Sequence, residues 1–534
     1  MSVTPRPGAR CWASRVACAA LFLLSSLGVA CDAQREAGGV AALSRPNILW
    51  VVWDTVRADH MSLYGHSKAT TPKLDRWAAG ARVFGNALSA ANTTLSSHAS
   101  MFTGLLPSQH GADASNRWLA DELETVAERL GAVGYRSYLW SANPHISAEE
   151  NFQQGFEREE HPWDDAHREA ATRIVREKVR GDVSTELAAR MQRPEVGPWS
   201  IKASGELAGP SLLRWLSDSE ADGADRPWFA LLNYMEAHRP RIPGRKYRER
   251  VMTPEQVAHS YTVDRSWLPM WNYTVGLREY SALDLAAMGG IYDAAIAELD
   301  DLFAELLAQL SAAGELDNTA IILTADHGEL LGEHHMLDHQ YSLHRPLMAV
   351  PLVIHYPKHF EPGRDTRPVT TLDLYPTVLE LAGLDATSAR HSSARSLQNP
   401  ADSRTRVAEY SAANIDPLRG VERQHPGWTA EPWDRELRLL DDGRYEFIWG
   451  SDGRHELYDL RRDPLEQHNL VESESAVVAR MQADLDSLVA AFAEQRPATR
   501  PARELSPEMR QLLIGLGYLS EDDSAAEGDR ANSP

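Results

Sequence analysis

The sequence predicts an α/β protein built on a large, mainly parallel β-sheet, with a small antiparallel sheet near the C-terminus. Short apolar runs typical of buried strands alternate with helical patterns that carry an apolar residue at every third or fourth position. The strand-like runs are residues 47–53, 135–141, 227–234, 319–325 and 350–356. Such alternation is typical of a sheet covered by helices on both faces.

The longest helical pattern lies between residues 282 and 313. Its apolar face consists of Leu299, Leu302, Phe303, Leu306, Leu307 and Leu310. Gly314 follows and predicts the end of the helix. Residues 157–226 and 239–280 are charged and contain Trp. We interpret them as insertions that cross the surface of the sheet, and such segments can determine substrate specificity.

The C-terminal part of the chain predicts a smaller unit. Residues 386–440 are polar and are expected to be irregular. Residues 445–449 and 456–458 resemble strands, so we expect the small sheet to begin near residue 440 and to pack its Tyr458 side against the main domain. The acidic, Ala/Ser-rich residues 521–534 are predicted to be disordered.

Composition excludes several classes of partner. The chain has 534 residues and 43% hydrophobic residues, which is enough for a full-sized core. Its formal net charge of -22 argues against nucleic acid as a partner and against docking on anionic lipid.

The N-terminus resembles a secretion signal. Arg6, Arg10 and Arg15 precede an apolar run at residues 16–30 that is too short and wrongly flanked for a spanning helix. The sequence therefore predicts export, to a bacterial periplasm or cell surface.

The cysteines belong to this leader. Cys11, Cys18 and Cys31 lie in it or directly after it, so the mature body has no intramolecular disulfide framework. Residues 27–31 resemble a bacterial lipoprotein cleavage site with Cys31 as the lipidated residue, although Gly28 stands where such sites usually carry Leu. The alternatives are a lipid anchor on Cys31, as the one membrane contact, and simple secretion.

Residues that can bind a metal follow two of the predicted strands. Asp54 comes directly after residues 47–53, and Asp326-His327 comes directly after residues 319–325. Open parallel sheets place ligand sites at the carboxyl ends of their strands. An isolated Asp there is more often a helix N-cap, but these side chains converge on one point. Residues 92–104 add hydroxyls and an imidazole, which together predict a metal-activated hydroxyl nucleophile.

These motifs, in this order, resemble the sulfatases of the alkaline phosphatase superfamily over roughly residues 45–495. The resemblance is carried by Asp54-Thr-Val-Arg-Ala-Asp59, Leu63-Tyr-Gly65, Thr71-Pro-Lys-Leu-Asp75, Ser97-His-Ala-Ser-Met-Phe-Thr-Gly104, Asp326-His-Gly-Glu329, Asp373-Leu-Tyr-Pro-Thr-Val-Leu-Glu-Leu-Ala-Gly383 and Leu457-Tyr-Asp-Leu460. It implies an alkaline-phosphatase-like sandwich and an ester hydrolase. The predicted divisions are a signal peptide at 1–31, a catalytic domain at 45–385, a C-terminal subdomain at 386–495 and a tail at 496–534.

The nucleophile position departs from the family pattern. Thr94 stands where sulfatases carry a Cys or Ser that is matured to formylglycine, and Ser96 and His98 replace the Pro and Arg of that motif. Threonine cannot be converted to the aldehyde, so no formylglycine is expected. A threonine ester must be cleaved by water, which suits a phosphate mono- or diester better than a sulfate ester.

A second departure concerns the residues that grip sulfate. The second Asp of arylsulfatases is Thr55 here, and their Gly-Lys-Trp-His segment corresponds to residues 141–144, which contain no Lys. Relatives with a Thr nucleophile, including phosphodiesterases and lipid-headgroup phosphotransferases, are more similar at this site.

The resemblance also implies a role for each candidate site residue. One divalent cation would be held by Asp54, Thr94, Asp326 and His327. We expect Ca, Mn or Mg over Zn, because no thiolate and few imidazoles are offered. His238 would protonate the leaving oxygen or bind the anion, and His339 would contact the same group. His98 would replace the family's Arg as an oxyanion contact, and Asn143 is a further candidate for this role.

The sequence thus predicts an exported metal-dependent hydrolase of small-molecule, glycan or lipid esters, with phosphate esters favoured over sulfate esters. The alternatives are a true sulfuric ester hydrolase, a phosphotransferase, and a surface binding protein without activity. Retention of the complete metal-ligand set favours an enzyme.

Overall fold

The computed structural model describes residues 45–179, 197–220, 226–386, 393–492, 497, 505–516 and 518. From Pro46 onward the described residues form one compact unit, and the division at residue 385 stays a prediction. The predicted leader with Cys31 and the predicted disordered end at 521–534 lie outside the described residues. None of the helices in the described ranges has the length and apolar composition that crossing a membrane requires.

The described strands form one large sheet and three smaller ones. They are β1 (Asn47–Trp53), β2 (Arg82–Phe84), β3 (Ala87–Leu88), β4 (Arg136–Ser141), β5 (Arg158–Glu160), β6 (Trp228–Tyr234), β7 (Thr319–Thr324), β8 (Leu330–Leu331), β9 (Leu337–Asp338), β10 (Leu352–His355), β11 (Gly363–Asp365), β12 (Val369–Thr370), β13 (Arg406–Tyr410), β14 (Leu437–Asp441), β15 (Tyr445–Gly450) and β16 (Glu456–Asp459).

The main sheet has eight strands in the order β11-β2-β10-β7-β1-β6-β4-β5. Strand β10 runs antiparallel to both of its neighbours, and the other neighbouring strands are parallel. This confirms the predicted α/β fold with a large, mainly parallel sheet. Strand β1 lies between β6 and β7 with its side chains buried, which explains its unbroken apolar sequence.

Helices cover this sheet. The described α-helices are α1 (Pro72–Trp77), α2 (Thr94–Thr103), α3 (Pro107–His110), α4 (Val126–Ala132), α5 (Asp165–Val179), α6 (Ser204–Glu220), α7 (Arg245–Val251), α8 (Pro254–His259), α9 (Trp267–Thr274), α10 (Ala282–Ala312), α11 (Arg345–Met348), α12 (Leu374–Leu381), α13 (Asp416–Gln424), α14 (Ser475–Phe492) and α15 (Pro507–Gly515).

Helix α10 agrees with its sequence pattern. A capping box begins it, because the Ser281 hydroxyl accepts a hydrogen bond from the Asp284 N–H and the Asp284 carboxylate accepts from the Ser281 N–H. The predicted apolar face is buried in the main core. Gly314, two residues after the last helical residue, has a φ of 80°, which favours glycine.

The C-terminal sheet begins earlier than the sequence predicts. It has four antiparallel strands in the order β13-β14-β15-β16, so residues 386–440 are not uniformly irregular. The polar composition misled the prediction because the charges are paired inside the sheet. Arg406 of β13 and Asp441 of β14 are both buried and form an ion pair with a nitrogen–oxygen distance of 2.7 Å.

This sheet packs against the main body through Tyr458, as expected. Tyr458 is buried in an apolar cluster with Leu88, Leu330 and Leu347. Glu456 reaches His344 across the same contact, with a nitrogen–oxygen distance of 3.0 Å. The small sheet is therefore joined to the site-bearing loops by both apolar and polar contacts.

The predicted tail, residues 496–534, contains a packed helix. The apolar side chains Met509, Leu512 and Leu513 of α15 are buried in one cluster with Trp163 and Ile201. Their spacing of three and one follows one helical face. The chain therefore returns to the main body after the C-terminal sheet.

Candidate active site

The two strands that carry the predicted metal ligands are neighbours. Strands β1 and β7 pair in parallel, with Val52 opposite Thr324. Their carboxyl ends deliver Asp54 and Asp326 to the same edge of the sheet, and both carboxylates are fully buried. Possible ligand atoms of Asp54, Asp326 and His327 all lie within 4.8 Å of one another.

Each carboxylate uses one oxygen for hydrogen bonds. Oδ1 of Asp326 accepts from the backbone N–H groups of Thr55 and His327, at 3.0 and 2.9 Å. Oδ2 of Asp54 accepts from the side-chain amides of Asn143 and Asn233, at 2.9 and 3.3 Å. The other oxygens, Oδ1 of Asp54 and Oδ2 of Asp326, are buried and receive no hydrogen bond from any described residue.

Two buried carboxylates without enough donors are costly. Burial raises the pKa of Asp54 well above its usual value, and the charge of Asp326 raises it further. A divalent cation bound to the two unsatisfied oxygens would remove both penalties. The donor set of this cluster therefore fits a metal ion.

The loop after β1 is strained where it meets this cluster. Thr55 has a φ of 61°, which is rare for a β-branched residue. Tyr292 of α10 holds it, since its hydroxyl donates to the Thr55 carbonyl oxygen at 2.7 Å. The strained conformation directs the Thr55 N–H toward Asp326. Helix α10 thus fixes the loop that supports one metal-ligand candidate.

Thr94 is the first residue of α2 and is 1% exposed. Its hydroxyl oxygen lies 3.4 Å from Nε2 of His327 and 3.3 Å from Nδ2 of Asn143. That Asn143 nitrogen also donates to Asp54, so the threonine oxygen and the carboxylate share one amide. The structure therefore brings Thr94 to the metal-ligand candidates.

The neighbouring serines of α2 are directed elsewhere. The Ser96 hydroxyl donates to the Ala112 carbonyl oxygen at 2.9 Å, and the Ser97 hydroxyl donates to the Asp326 carbonyl oxygen at 2.7 Å. Both hydroxyls are used in backbone contacts. Thr94 remains the better placed of the three hydroxyl groups.

His98 lies one helical turn after Thr94 and is fully buried. Its Nδ1 is 3.0 Å from the Thr94 carbonyl oxygen and 3.8 Å from Oδ2 of Asp326. Its Nε2 is buried and has no hydrogen-bond partner among the described residues. Burial lowers the pKa of His98, so the ring is neutral near pH 7.

His238 and His339 complete the predicted set. The ring centroid of His339 lies 4.5 Å from that of His327 and 5.5 Å from that of His238. Burial lowers the pKa of both His238 and His327 well below the usual value, and the neighbouring His339 lowers both further.

The imidazoles share a hydrogen-bonding pattern. In each ring Nδ1 faces a backbone carbonyl oxygen, which can only accept, so Nδ1 carries a proton. These pairs join His98 to Thr94, His238 to Arg239, His327 to Gly328 and His339 to Asn92. Because burial lowers the pKa of His98, His238 and His327, the Nε2 atoms of these three rings carry lone pairs near pH 7.

Three contributors were missed by sequence reasoning. Asn233 is an amide within the otherwise apolar and aromatic strand β6, one residue before its end at Tyr234, which is a readable signal. Lys202 is buried, and its ammonium group donates to the carbonyl oxygens of Met235 and His238, both at 2.5 Å. Burial lowers the pKa of Lys202 to about 7. Tyr518 lies beyond α15, and its hydroxyl is 2.8 Å from Nε2 of His238.

The family of the chain follows from comparison with known proteins. The family model described as Sulfatase matches residues 46–384, which is more than half of the chain. The chain belongs to the sulfatase family. As a member of this metal-dependent family it is an ester hydrolase, and the cluster of Asp54, Asp326 and His327 is a candidate metal site within it.

Individual relatives agree with this assignment. The chain is 22% identical to the uncharacterized sulfatase YidJ of Escherichia coli (strain K12), over 80% of this chain and 84% of that protein. It is 24% identical to choline-sulfatase of Rhizobium meliloti (strain 1021), over 80% and 83%. The structure of phosphonate monoester hydrolase from Agrobacterium radiobacter matches with a TM-score of 0.62 at 21% identity, over 86% of this chain and 100% of that one, and shows the same fold.

Proposed function

We propose that this sulfatase-family protein is an exported, metal-dependent phosphoesterase whose nucleophile is the Thr94 hydroxyl. The observation that carries the proposal is the position of that hydroxyl. It lies 3.4 Å from Nε2 of His327 and shares the Asn143 amide with Asp54, beside two unsatisfied carboxylate oxygens. A divalent cation held by Asp54, Asp326 and His327 would neutralise the carboxylates and make the hydroxyl more acidic.

The chain's own residues then have distinct tasks. Asn143 orients Thr94 and Asp54 together through one amide. His238 and His339, whose ring centroids lie 5.5 Å apart, would meet the ester group. The oxygen of Thr94 attacks phosphorus and the bond to the leaving oxygen breaks, while the threonine proton passes by way of the Nε2 lone pair of His238 to that leaving oxygen. Water then attacks phosphorus, the bond to the threonine oxygen breaks, and the threonine oxygen takes back a proton from the water as phosphate leaves.

The nucleophile favours phosphate over sulfate. Threonine cannot be matured to formylglycine, so an ester formed on Thr94 must be cleaved by an incoming water. Water can attack phosphorus in line while a bound cation would stabilise the departing threonine oxygen. The resemblance of the fold to a phosphonate monoester hydrolase is compatible with this choice.

A sulfuric ester hydrolase is the second candidate, and the relation to choline-sulfatase favours it. The test compares aryl phosphate, aryl phosphodiester and aryl sulfate with the same leaving group, each with added Ca, Mg, Mn and Zn. Phosphate turnover should exceed sulfate turnover. Faster hydrolysis of the sulfate would contradict the proposal and establish the second candidate.

The nucleophile is tested by substitution within α2. Thr94→Ala should lower kcat at least about 10⁴-fold, while Thr94→Ser should keep measurable activity because the attacking oxygen survives. Thr103→Ala is the matched control, because its hydroxyl donates to the Ala99 carbonyl oxygen at the other end of the same helix. Acid quenching during turnover should leave phosphate on the peptide that contains Thr94, as shown by mass spectrometry.

A further inference from the structure

Tyr518 brings a second hydroxyl to the nucleophile. The residue follows α15, which ends at Gly515, and its side chain is 8% exposed. Its hydroxyl lies 2.8 Å from Nε2 of His238 and also forms a hydrogen bond with Thr94. One phenol oxygen therefore contacts both the proposed nucleophile and the residue expected to meet the leaving oxygen.

This phenol and a bound ester exclude one another. An ester attacked by Thr94 must place its central atom about 3 to 3.5 Å from the threonine oxygen. The tyrosine hydroxyl already takes a hydrogen-bonding position of that threonine and lies 2.8 Å from Nε2 of His238. The burial of the site residues supports this exclusion. With Tyr518 in place, Thr94 and His238 are each 1% exposed and His339 is 2% exposed.

The space that the Tyr518 ring fills has the shape and chemistry of an aryl subsite. The ring lies edge-on to His145, with ring centroids 4.6 Å apart. It belongs to an apolar cluster with Ala142, Trp163 and Met235. Removal of the tyrosine would leave a slot with apolar and aromatic walls whose inner end meets His238.

We propose that Tyr518 occupies the leaving-group position of the active site as an internal substitute for an aryl group, and that an aryl ester must displace it to react. This inference rests on the proposed function, because it takes Thr94 as the nucleophile. Bonds to Thr94 and His238 hold the phenol in the slot. The apparent affinity for an aryl ligand is then reduced by the fraction of molecules in which Tyr518 is displaced.

The test measures binding of 4-methylphenol to the full chain by isothermal titration calorimetry. This probe reproduces the tyrosine side chain. Tyr518→Ala should bind it at least 10-fold more tightly than the wild type, because the slot is empty. Tyr445→Ala, a substitution in β15, is the matched control and should bind it like the wild type. Equal or weaker binding by Tyr518→Ala would overturn the inference.

A second variant tests the inference even if Tyr518→Ala does not fold. Tyr518→Phe keeps the ring and its packing but loses both hydrogen bonds, so it should bind 4-methylphenol at least 3-fold more tightly than the wild type. If Tyr518→Ala does not fold, the phenylalanine variant alone decides, and unchanged binding overturns the inference.

Kinetics separate displacement from participation in the reaction. In Tyr518→Ala, KM for 4-nitrophenyl phosphate should fall at least 5-fold while kcat changes less than 3-fold. A large loss of kcat would show that the phenol assists the reaction and would overturn the inference. The binding assay needs no turnover, so a failure of the proposed function, seen as full activity in Thr94→Ala, leaves the 4-methylphenol result to be judged separately.

Discussion

Within the described ranges of the chain, two clusters have the composition of a metal site, and they differ in what neutralises their carboxylates. Asp54, Asp326 and His327 form one, and His60, His66 and Asp293 form the other. In each cluster the possible ligand atoms lie within 4.8 Å of one another. Residue types and spacing alone therefore do not distinguish them.

The hydrogen bonds of the carboxylates distinguish the two clusters. The Asp293 carboxylate is paired with His60 at 2.6 Å and with the Lys68 ammonium at 2.6 Å. Burial alone would raise the pKa of Asp293, but hydrogen bonds from His60 and His66 and the charge of Lys68 hold it well below its usual value. In the first cluster the pKa of Asp54 is raised and two oxygens lack donors. In the second cluster the Lys68 ammonium thus supplies the positive charge, whereas the first cluster still requires a cation.

Activity should separate the clusters most strongly. Asp326→Asn should lower kcat/KM at least about 10³-fold, roughly 4 kcal/mol in the barrier, because a metal ligand is lost. Asp293→Asn should change kcat/KM less than about 3-fold. Comparable losses in the two variants would mean that both clusters serve the reaction.

The free energy of unfolding should depend more on the second cluster than on the first. Asp293→Asn leaves Lys68 and the neighbouring imidazoles without their carboxylate, and the loss of hydrogen bonds to a buried charged group costs about 1.5 to 3 kcal/mol. Urea unfolding of the metal-free protein at pH 7 measures this. An unchanged free energy of unfolding would show that the Asp293 pairs contribute nothing.

The cost of Asp293→Asn should depend on pH. The folded-state pKa of Asp293 is lower than its usual value of 3.8, so its carboxylate stabilises the fold above that pH. The stabilisation is lost as the pH falls below 3.8 toward the lower folded-state pKa. The difference in unfolding free energy between wild type and Asp293→Asn should therefore shrink as the pH falls from 5 to 3.

Asp54→Asn should have opposite effects with and without metal. Without metal it removes the repulsion from Asp326, so the free energy of unfolding should rise by about 1 kcal/mol. With Mn or Ca at 100 times the dissociation constant, the wild type should gain about 2.7 kcal/mol, and the variant should not. Thermal melts with and without cation show both effects. A variant that is destabilised without metal would contradict the strain assigned to this cluster.

Lys68→Met should have the smallest effect. The Lys68 side chain is 35% exposed, so solvent screening limits its pair with Asp293 to about 0.5 kcal/mol. Its larger consequence should be chemical, because the second cluster then lacks its cation. In an Asp54→Asn background, Lys68→Met should restore weak Mn stabilisation in a thermal melt. No restored stabilisation would show that Lys68 does not replace a metal.

Sequence reasoning predicted the main sheet well because its signals are local. The run at 47–53 is apolar throughout, and Asp54 directly after it marks the strand end. The convergence of Asp54 with Asp326 followed from the rule for parallel strands. The roles of Thr94, His98, Asn143, His238 and His339 stay predictions, although the structure places them together.

The missed features depend on partners far away in the sequence. Strands β13 and β14 look polar until Arg406 is seen to pair with Asp441. The hydrogen bond between Tyr518 and His238 joins residues that are 280 positions apart in the sequence. Helix α15 itself was readable, since Met509, Leu512 and Leu513 form one face and Pro507 stands at its start.

The central position of β1 has a consequence for biosynthesis. This apolar strand is made first, yet its partners β6 and β7 begin only at Trp228 and Thr319. At 5 to 20 residues per second, roughly 10 to 35 s pass before the first partner exists. An unpaired apolar strand is an aggregation hazard during that time. A nascent chain therefore carries this exposed strand until β7 has been made and the β1–β7 pair can bring Asp54 beside Asp326.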